Sequence, residues 1–477
     1  MVISLLKWLT QLVVVLLLWW GVLMLGHPLD WMHMASLAFV GLCAIPPLTG
    51  FALIRLVMVV RARRAERQKE DSDAAARAAQ EAARNAARER HREALRQRRE
   101  GVECRWLGVA AVNPKGPERV DDMPAGSFWL LLDSAPEGQG SLCEILTEPV
   151  SALLQQMHAE AAGAGWLPFY IQLTGSMAGA EQLGWIQSLR RMHSEGADVM
   201  PTRVLPGQGP LGDRVLDILR AEPDLPGLVV LAFDAPGRAA GVDTEDRVDA
   251  DEHAAASAGS ATAVAMLFLR PGLTPADADD LGADALNHDP YAAHWDKAEP
   301  GAHLARWGRV PLAQQAGLDA LPSLAVLSQA ARAHETAHRP LALAGTVNAL
   351  LDPALVNAGL LDVPFEDEPA QPGSADSLAW VAFNGGPEGA CATRTTALFN
   401  TFCQRGIEFQ DAALGSNSDI EWGAAGAATQ ALLGALAIGH SARLGAPVLL
   451  ADFNGGGLDL AVARPVAQAI ADTEPTS

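Results

Sequence analysis

The sequence predicts two N-terminal transmembrane helices and a long linker helix, then a duplicated α/β domain built in layers. Two long apolar runs fill the first sixty residues, and an Ala/Arg-rich stretch without Pro or Gly follows. From Cys104 onward, two series of short apolar strands echo each other. At 477 residues, 49% hydrophobic and 19% charged, the chain can bury a large core, which excludes disorder as its main state.

From Leu9 to Leu25 the chain is nearly all Leu, Val and Trp, with polar breaks at Thr10 and Gln11. With its flanks this run reaches the ~20 residues that cross a bilayer. After His27, Pro28 and Asp30, a second run covers Met34 to Val60, and its Pro46-Pro47 pair is expected to kink it. Arg61, Arg63, Arg64 and Arg67 follow at once, and such a cluster favours the cytoplasmic side. Residues 1–60 therefore read as a two-span anchor in the inner (cytoplasmic) membrane, with both termini and the soluble domain in the cytoplasm. Lys7 ahead of an apolar stretch also suits a cleaved signal peptide, against which stand the second run and its arginines.

Residues 61–103 read as one exposed helix. Ala and Arg are strong helix formers, and Leu95 is the one large aliphatic residue between 61 and 100, too few for a coiled-coil seam. At ~1.5 Å per residue such a helix is a spacer of some ~60 Å. Its arginines also suit anionic lipid heads at the membrane end.

Charge is unevenly placed. The whole chain carries −21, from 35 Lys+Arg against 56 Asp+Glu, whereas residues 1–100 carry +6, leaving −27 on the remaining 377 residues. Such an acidic body excludes a nucleic-acid footprint over the whole chain. Cys43, Cys104, Cys143, Cys391 and Cys403 form no CxxC pair, which fits a reducing compartment without a disulfide framework.

Strands are expected at Leu107–Asn113, Phe169–Leu173, Leu228–Phe233 and Val264–Leu269. A second series is expected at Leu341–Asn348, Leu378–Phe383, Pro447–Phe453 and Leu458–Ala463. VVLAFD answers VLLADF, LFLRPG answers AVARPV, and AAVN answers GTVN. The offsets are too long for a solenoid and suit a duplicated half-domain. This divides the soluble part into a first half (104–270), a helical and loop insertion (271–339), a second half (340–466) and a flexible tail (467–477). The Asp- and Ala-rich 235–260 reads as an exposed loop inside the first half.

The stretch Leu378–Pro465 holds Phe383-Asn384-Gly385-Gly386, then Trp422-Gly423-Ala424-Ala425-Gly426-Ala427, then Asp452-Phe453-Asn454-Gly455-Gly456-Gly457. In this order and spacing they resemble the C-terminal motifs of β-ketoacyl synthases, in the thiolase-like superfamily. That resemblance implies a thiolase-like duplicated α/β/α fold. The family's chemistry needs a cysteine nucleophile at a helix N-terminus and two histidines that stabilise an anion. Carried over, the first histidine falls on Asn384 and the second on Ile420. The nucleophile belongs near Gly207-Gln208-Gly209, and no cysteine lies between Cys143 and Cys391. The resemblance thus implies the fold and speaks against the activity: no catalytic residue and no cofactor are expected, and the domain reads as a pseudo-enzyme.

The whole chain, through Leu205–Asp234 and Glu421–Pro465, also resembles a family of uncharacterised domains associated with type VI secretion lipase effectors. That resemblance implies an adaptor whose partners are proteins, a secreted lipase effector and the spike protein that carries it.

His334-Glu335-Thr336-Ala337-His338 fits the His-Glu-x-x-His signature. On a helix both imidazoles would share a face and ligate Zn²⁺, with Glu335 activating the bound water. The competing reading is the solvated end of an amphipathic helix, which Arg339 and Pro340 favour. Asp352 and Glu366 are third ligands by reach alone. His288, His294 and His303, with Asp289 and Asp296, have no regular metal spacing and read as a loop. Ser127, Ser176 and Ser441 lack a Gly-x-Ser-x-Gly elbow, and the Gly-rich turn at 453–457 has no Lys-Ser/Thr after it and joins two strands. The expected function is a membrane-anchored, non-catalytic adaptor. The alternative is a membrane-anchored zinc metallopeptidase, and a divergent acyl-thioester enzyme comes last.

Overall fold

The computed structural model describes residues 2–26, 36–112, 126–132, 141–194, 200–235, 261–271, 273, 307, 310–334, 339–366, 377–386, 388–407, 415–454 and 456–466. Two compact units divide it, Met1–Arg92 and Glu93–Ser477.

In the first unit, α1 spans Val2–Gly26, and a second helix, α2, spans Ser36–Arg98 with Pro46 and Pro47 inside it. Between Ile45 and Arg98, α2 holds a window long and apolar enough to cross a membrane, almost none of it buried in the protein. In α1 the corresponding described stretch, Thr10–Val22, is shorter. Of the stretch expected as a helical linker, 61–103, the part from Arg61 to Arg98 is helical, as its Ala/Arg composition dictates, whereas Gly101–Glu103 already belong to a strand.

In the second unit the strands of the first series are β1 (Gly101–Val112), β2 (Ser127–Leu132), β3 (Phe169–Gln172), β4 (Thr202–Val204), β5 (Gly227–Asp234) and β6 (Ala261–Leu269). Helices α3 (Leu142–Glu160), α4 (Gly179–His193) and α5 (Leu211–Ala221) lie between them in the chain. The segment up to the second series contains α6 (Leu312–Asp319). The second series is β7 (Ala325–Ser328), β8 (Ala331–Ala333), β9 (Trp380–Phe383), β10 (Gly415–Asn417), β11 (Val448–Asp452) and β12 (Leu458–Arg464). Its helices are α7 (Pro340–Asn357), α8 (Glu388–Gln404), the single turn α9 (Ser418–Glu421) and α10 (Thr429–Leu444).

The strands form one sheet in the order β10-β9-β11-β12-β7-β1-β6-β5-β3-β4, with β2 added on β1 and β8 on β12. Each half repeats one plan. With β2 and β8 set aside, each half reads third, second, fourth, fifth, first from its outer edge to the middle. In both, the fifth strand runs antiparallel to its neighbours while the second, third and fourth are parallel. The halves join where β1 pairs antiparallel with β7, Gly101 opposite Ser328 and Cys104 opposite Ala325.

Side chains alternate between the two faces along a strand, so the central strands, buried at nearly every position, serve two cores. Leu228, Val230 and Ala232 of β5 face a central core with Val448 and Leu450 of β11, and α5 and α10 fill that layer. Val229, Leu231 and Phe233 face an outer core under α3 and α4. Val381, Leu449 and Val462 face the opposite outer core, under α7 and α8. Strands buried on both faces explain the near-continuous apolar words GLVVLAFD and ATAVAMLFL. The duplicated α/β arrangement expected from the sequence is present.

One expected strand is wrong. Leu341–Asn348 lies in helix α7, and the first strand of the second series is β7, which the sequence reading placed in the insertion. The second series therefore begins before residue 340, and the echo between AAVN and GTVN pairs a strand with a helix. The alternation in LALA suggested period two. The buried positions Leu343, Val347, Leu351 and Ala354 instead recur every three or four residues, and Pro340 occupies the first turn, where its missing N–H costs nothing.

Candidate functional site

The loop Leu205–Pro210, between β4 and α5, is where the synthase-like nucleophile was expected. Gly207 and Gly209 both adopt positive φ, +79° and +116°. A side chain at Gly209 would point into the Arg332 guanidinium, 2.6 Å from its Cζ. Arg332, on β8, therefore fills the space next to the loop. Its Nη2 donates to Asp213 Oδ2 on α5 at 2.9 Å, and its Nε lies 3.8 Å from Asp459 Oδ1 on β12. Asp213 also accepts the Ala330 N–H at 3.0 Å.

Asn384, at the first family histidine position, follows β9 and is 7% exposed. Its Nδ2 donates to Asp452 Oδ1 (3.0 Å) and to the Phe453 carbonyl (3.2 Å), while its Oδ1 accepts the Phe453 N–H (2.7 Å). Both ends of the amide are occupied. Asp452, at the end of β11, also accepts from Gln430 Nε2 (3.0 Å) and Asn454 Nδ2 (3.2 Å), and Asn454 reaches Asp459 Oδ2 at 2.7 Å. A polar chain thus runs Asn384–Asp452–Asn454–Asp459–Arg332–Asp213. Burial raises the carboxyl pKa of Asp452, Asp459 and Asp213, and the amide, backbone or arginine donors facing each one oppose that rise.

Ile420, at the second family position, sits on the single turn α9 and is 60% exposed. The glycine-rich motif after it has a structural duty. Asp234, at the end of β5, accepts the Ala427 N–H at 2.7 Å and the Thr174 hydroxyl at 2.7 Å, and a Cβ at Gly426 would strike its carboxylate. The strand end of one half thereby holds the start of α10 in the other. Beside this network, an open groove of about 470 Å³ runs along α5, bordered by Gln208, Asp213, Arg220, Glu222 and Arg332.

Of the His-Glu-x-x-His motif only the first histidine is among the described residues. His334 is exposed in a bend directly after β8, and α7 starts at Pro340. Glu335 and His338 lie outside the described residues, as do His288, Asp289, His294, Asp296 and His303. Among the described residues no group of three His, Cys, Asp or Glu is placed to hold a metal ion. Asp352 pairs with Arg405 at 2.9 Å. Ser176 bonds Thr174, and Ser441 donates to the Ala446 carbonyl. The turn after Phe453 joins antiparallel β11 and β12 as expected.

Sequence reasoning missed Asp213, Arg332, Gln430 and Asp452 as one network. For Asp452, Asn454 and Asp459 a signal existed, since polar residues interrupt the apolar run LLADFNGGGLDLAVA. Asp213 and Arg332 stand 119 positions apart in ordinary amphipathic contexts, with nothing local to join them.

No protein-family model matches this chain, and no curated protein sequence is similar to it. Several solved structures are similar in fold. Human mitochondrial 3-ketoacyl-CoA thiolase covers 77% of this chain and 99% of its own, at 10% identity and a TM-score of 0.42. The acyltransferase ChlB3 covers 77% and 98%, at 12% identity and 0.38. The ishigamide ketosynthase/chain length factor covers 63% and 72%, at 14% identity and 0.33. These three scores lie below one half, so the class defined here, a duplicated and layered mixed α/β body, rests on the repeated strand order of the two halves.

Proposed function

We propose that this chain is a membrane-tethered, non-catalytic relative of thiolase-like synthases that works as a protein-binding adaptor. The observation that carries the reading is the Arg332 guanidinium packed where a side chain at Gly209 would project. A nucleophile in that loop would need room that the guanidinium paired with Asp213 occupies. Asn384 spends its donors and acceptor on Asp452 and Phe453, leaving none for a substrate anion, and Ile420 offers no hydrogen bond. The tether consists of α1 and α2 as two spans, with the arginines after Val60 on the cytoplasmic side of the inner membrane. The acidic body then steers association and partner choice, the partners being a type VI lipase effector and its spike protein.

The full-length chain in lipid nanodiscs tests both parts. Incubated with acyl-CoA and malonyl thioesters, it is expected to release neither free thiol nor CO₂. Turnover that disappears in Asn384→Ala would overturn the non-catalytic reading. Capture of a lipase effector together with its spike protein from the producing cells supports the adaptor role, and their absence from the captured material overturns it.

A further inference from the structure

The two helices of the first unit share an open groove of about 290 Å³. Thr10 and Gln11 of α1 and Arg55 of α2 line one part of it, and Val14, Val15 and Phe51 line another. The groove lies about as far from the end of α1 as from the start of α2, so the two helices run antiparallel along it. On α1 one turn separates Thr10 and Gln11 from Val14 and Val15, and on α2 one turn separates Arg55 from Phe51. In an antiparallel pair these steps coincide. The groove is therefore polar on the side of Arg61 and apolar on the side of the connection between the helices.

Charge follows the same direction. No Asp or Glu precedes Asp30 and none lies between Asp30 and Glu66, whereas Arg55, Arg61, Arg63 and Arg64 all fall in that interval. Arg55 stands ~9 Å along the helix from Arg61, at ~1.5 Å per residue, which sets it inside the edge of the apolar run. An arginine at that depth is costly in lipid unless an anion meets it. Its planar fork of donors matches a phosphate, and a basic pocket between membrane helices on the cytoplasmic side suits an anionic headgroup. The arginines beyond it repel a headgroup that carries a cation of its own. The apolar part of the groove then accepts the first carbons of an acyl chain.

We propose that the groove between α1 and α2 binds one anionic phospholipid of the cytoplasmic leaflet, its phosphate on Arg55 and its acyl chain along Val14, Val15 and Phe51. Thr10 and Gln11 border the phosphate and add neutral donors to it. The assignment rests on the reading of α1 and α2 as two membrane spans.

The test releases the full-length chain from nanodiscs of phosphatidylcholine with a minority of phosphatidylglycerol and counts the lipid that stays bound by native mass spectrometry. One phosphatidylglycerol per chain is expected, enriched over its share of the disc. Arg55→Gln should lower that enrichment about fivefold, the effect of one arginine charge near an anionic surface. Val14→Trp, at a position 48% exposed, fills the apolar part without touching the charge and should lower it as well. No enrichment in the wild type, or enrichment that survives Arg55→Gln, would overturn the site. Enrichment that survives Val14→Trp would overturn it in favour of attraction to the arginine cluster alone, and displacement of the lipid by inorganic phosphate in favour of a free-anion site. If a variant does not integrate, wild-type chain labelled by a phosphatidylglycerol with a photoreactive acyl chain decides the matter: label on the groove faces of α1 and α2 is expected, and label elsewhere overturns the site. Alkaline carbonate extraction tests the spans separately. A chain that leaves the membrane refutes the spans, whereas one that resists extraction and enriches no lipid refutes the lipid site alone.

Discussion

Gly209 and Arg332 offer the sharpest test of how the synthase-like loop is closed. Gly209→Ala would place a Cβ against the guanidinium at a backbone φ of +116°, a region that L side chains rarely adopt. The backbone strain costs ~1–3 kcal/mol. Displacing Arg332 would also strip the 2.9 Å bond from Asp213, worth ~1 kcal/mol after allowance for its partial exposure. The single substitution is thus expected to destabilise by ~2–4 kcal/mol. Arg332→Ala empties the space, so in that background Gly209→Ala should cost the backbone strain alone. The double-mutant cycle should then show a favourable coupling of ~1 kcal/mol or more. Urea unfolding of the four chains, followed by tryptophan fluorescence, supplies the numbers. Strict additivity would refute the claim that the guanidinium occupies the space beside the loop.

Three further outcomes are expected. Burial and neighbouring charge lower the His158 pKa from 6.5 to about 4. Between those values the native state binds fewer protons than the unfolded one, so acidification should cost up to ~3 kcal/mol that is present at neutral pH. The raised carboxyls of Asp213, Asp452 and Asp459 act with the opposite sign. The difference in urea midpoints between wild type and His158→Asn across pH 7 to 4.5 therefore isolates His158, and equal slopes would contradict its depressed value. Gly345→Ala, in α7 with open space around its Cβ, should stabilise by ~0.5–1 kcal/mol, whereas destabilisation would argue against the helix. Metal analysis of the purified full chain should find no stoichiometric zinc. One zinc per chain, lost in His338→Ala, would restore the peptidase reading.

Much of the second unit was legible because its strands are buried on both faces. Gly227–Asp234, Ala261–Leu269 and Leu458–Arg464 need apolar residues nearly throughout, and such runs survive as words in the sequence. Ala325–Ser328 was harder: it is four residues long, and β8 continues it only after a break, so little periodicity was available. Leu341–Asn348 misled because a helix rich in Ala and Leu can begin with an alternating run. At the site, Asn384 and the glycine motif were visible as departures from a known pattern, while their duties toward Asp452 and Asp234 were not.

Composition and periodicity alone determined the apolar N-terminal runs, the unbroken helix after Arg61 and the long apolar strands, because each depends on residues near one another in the chain. Tertiary structure alone decided what those strands bring together. The pairing of Asp213 with Arg332, the closing of Gly209 and the gathering of Arg190 with His158 each join residues from different elements. Their energies come from burial and from charge held at close range, and both exist only once the sheet has aligned segments that the chain keeps apart.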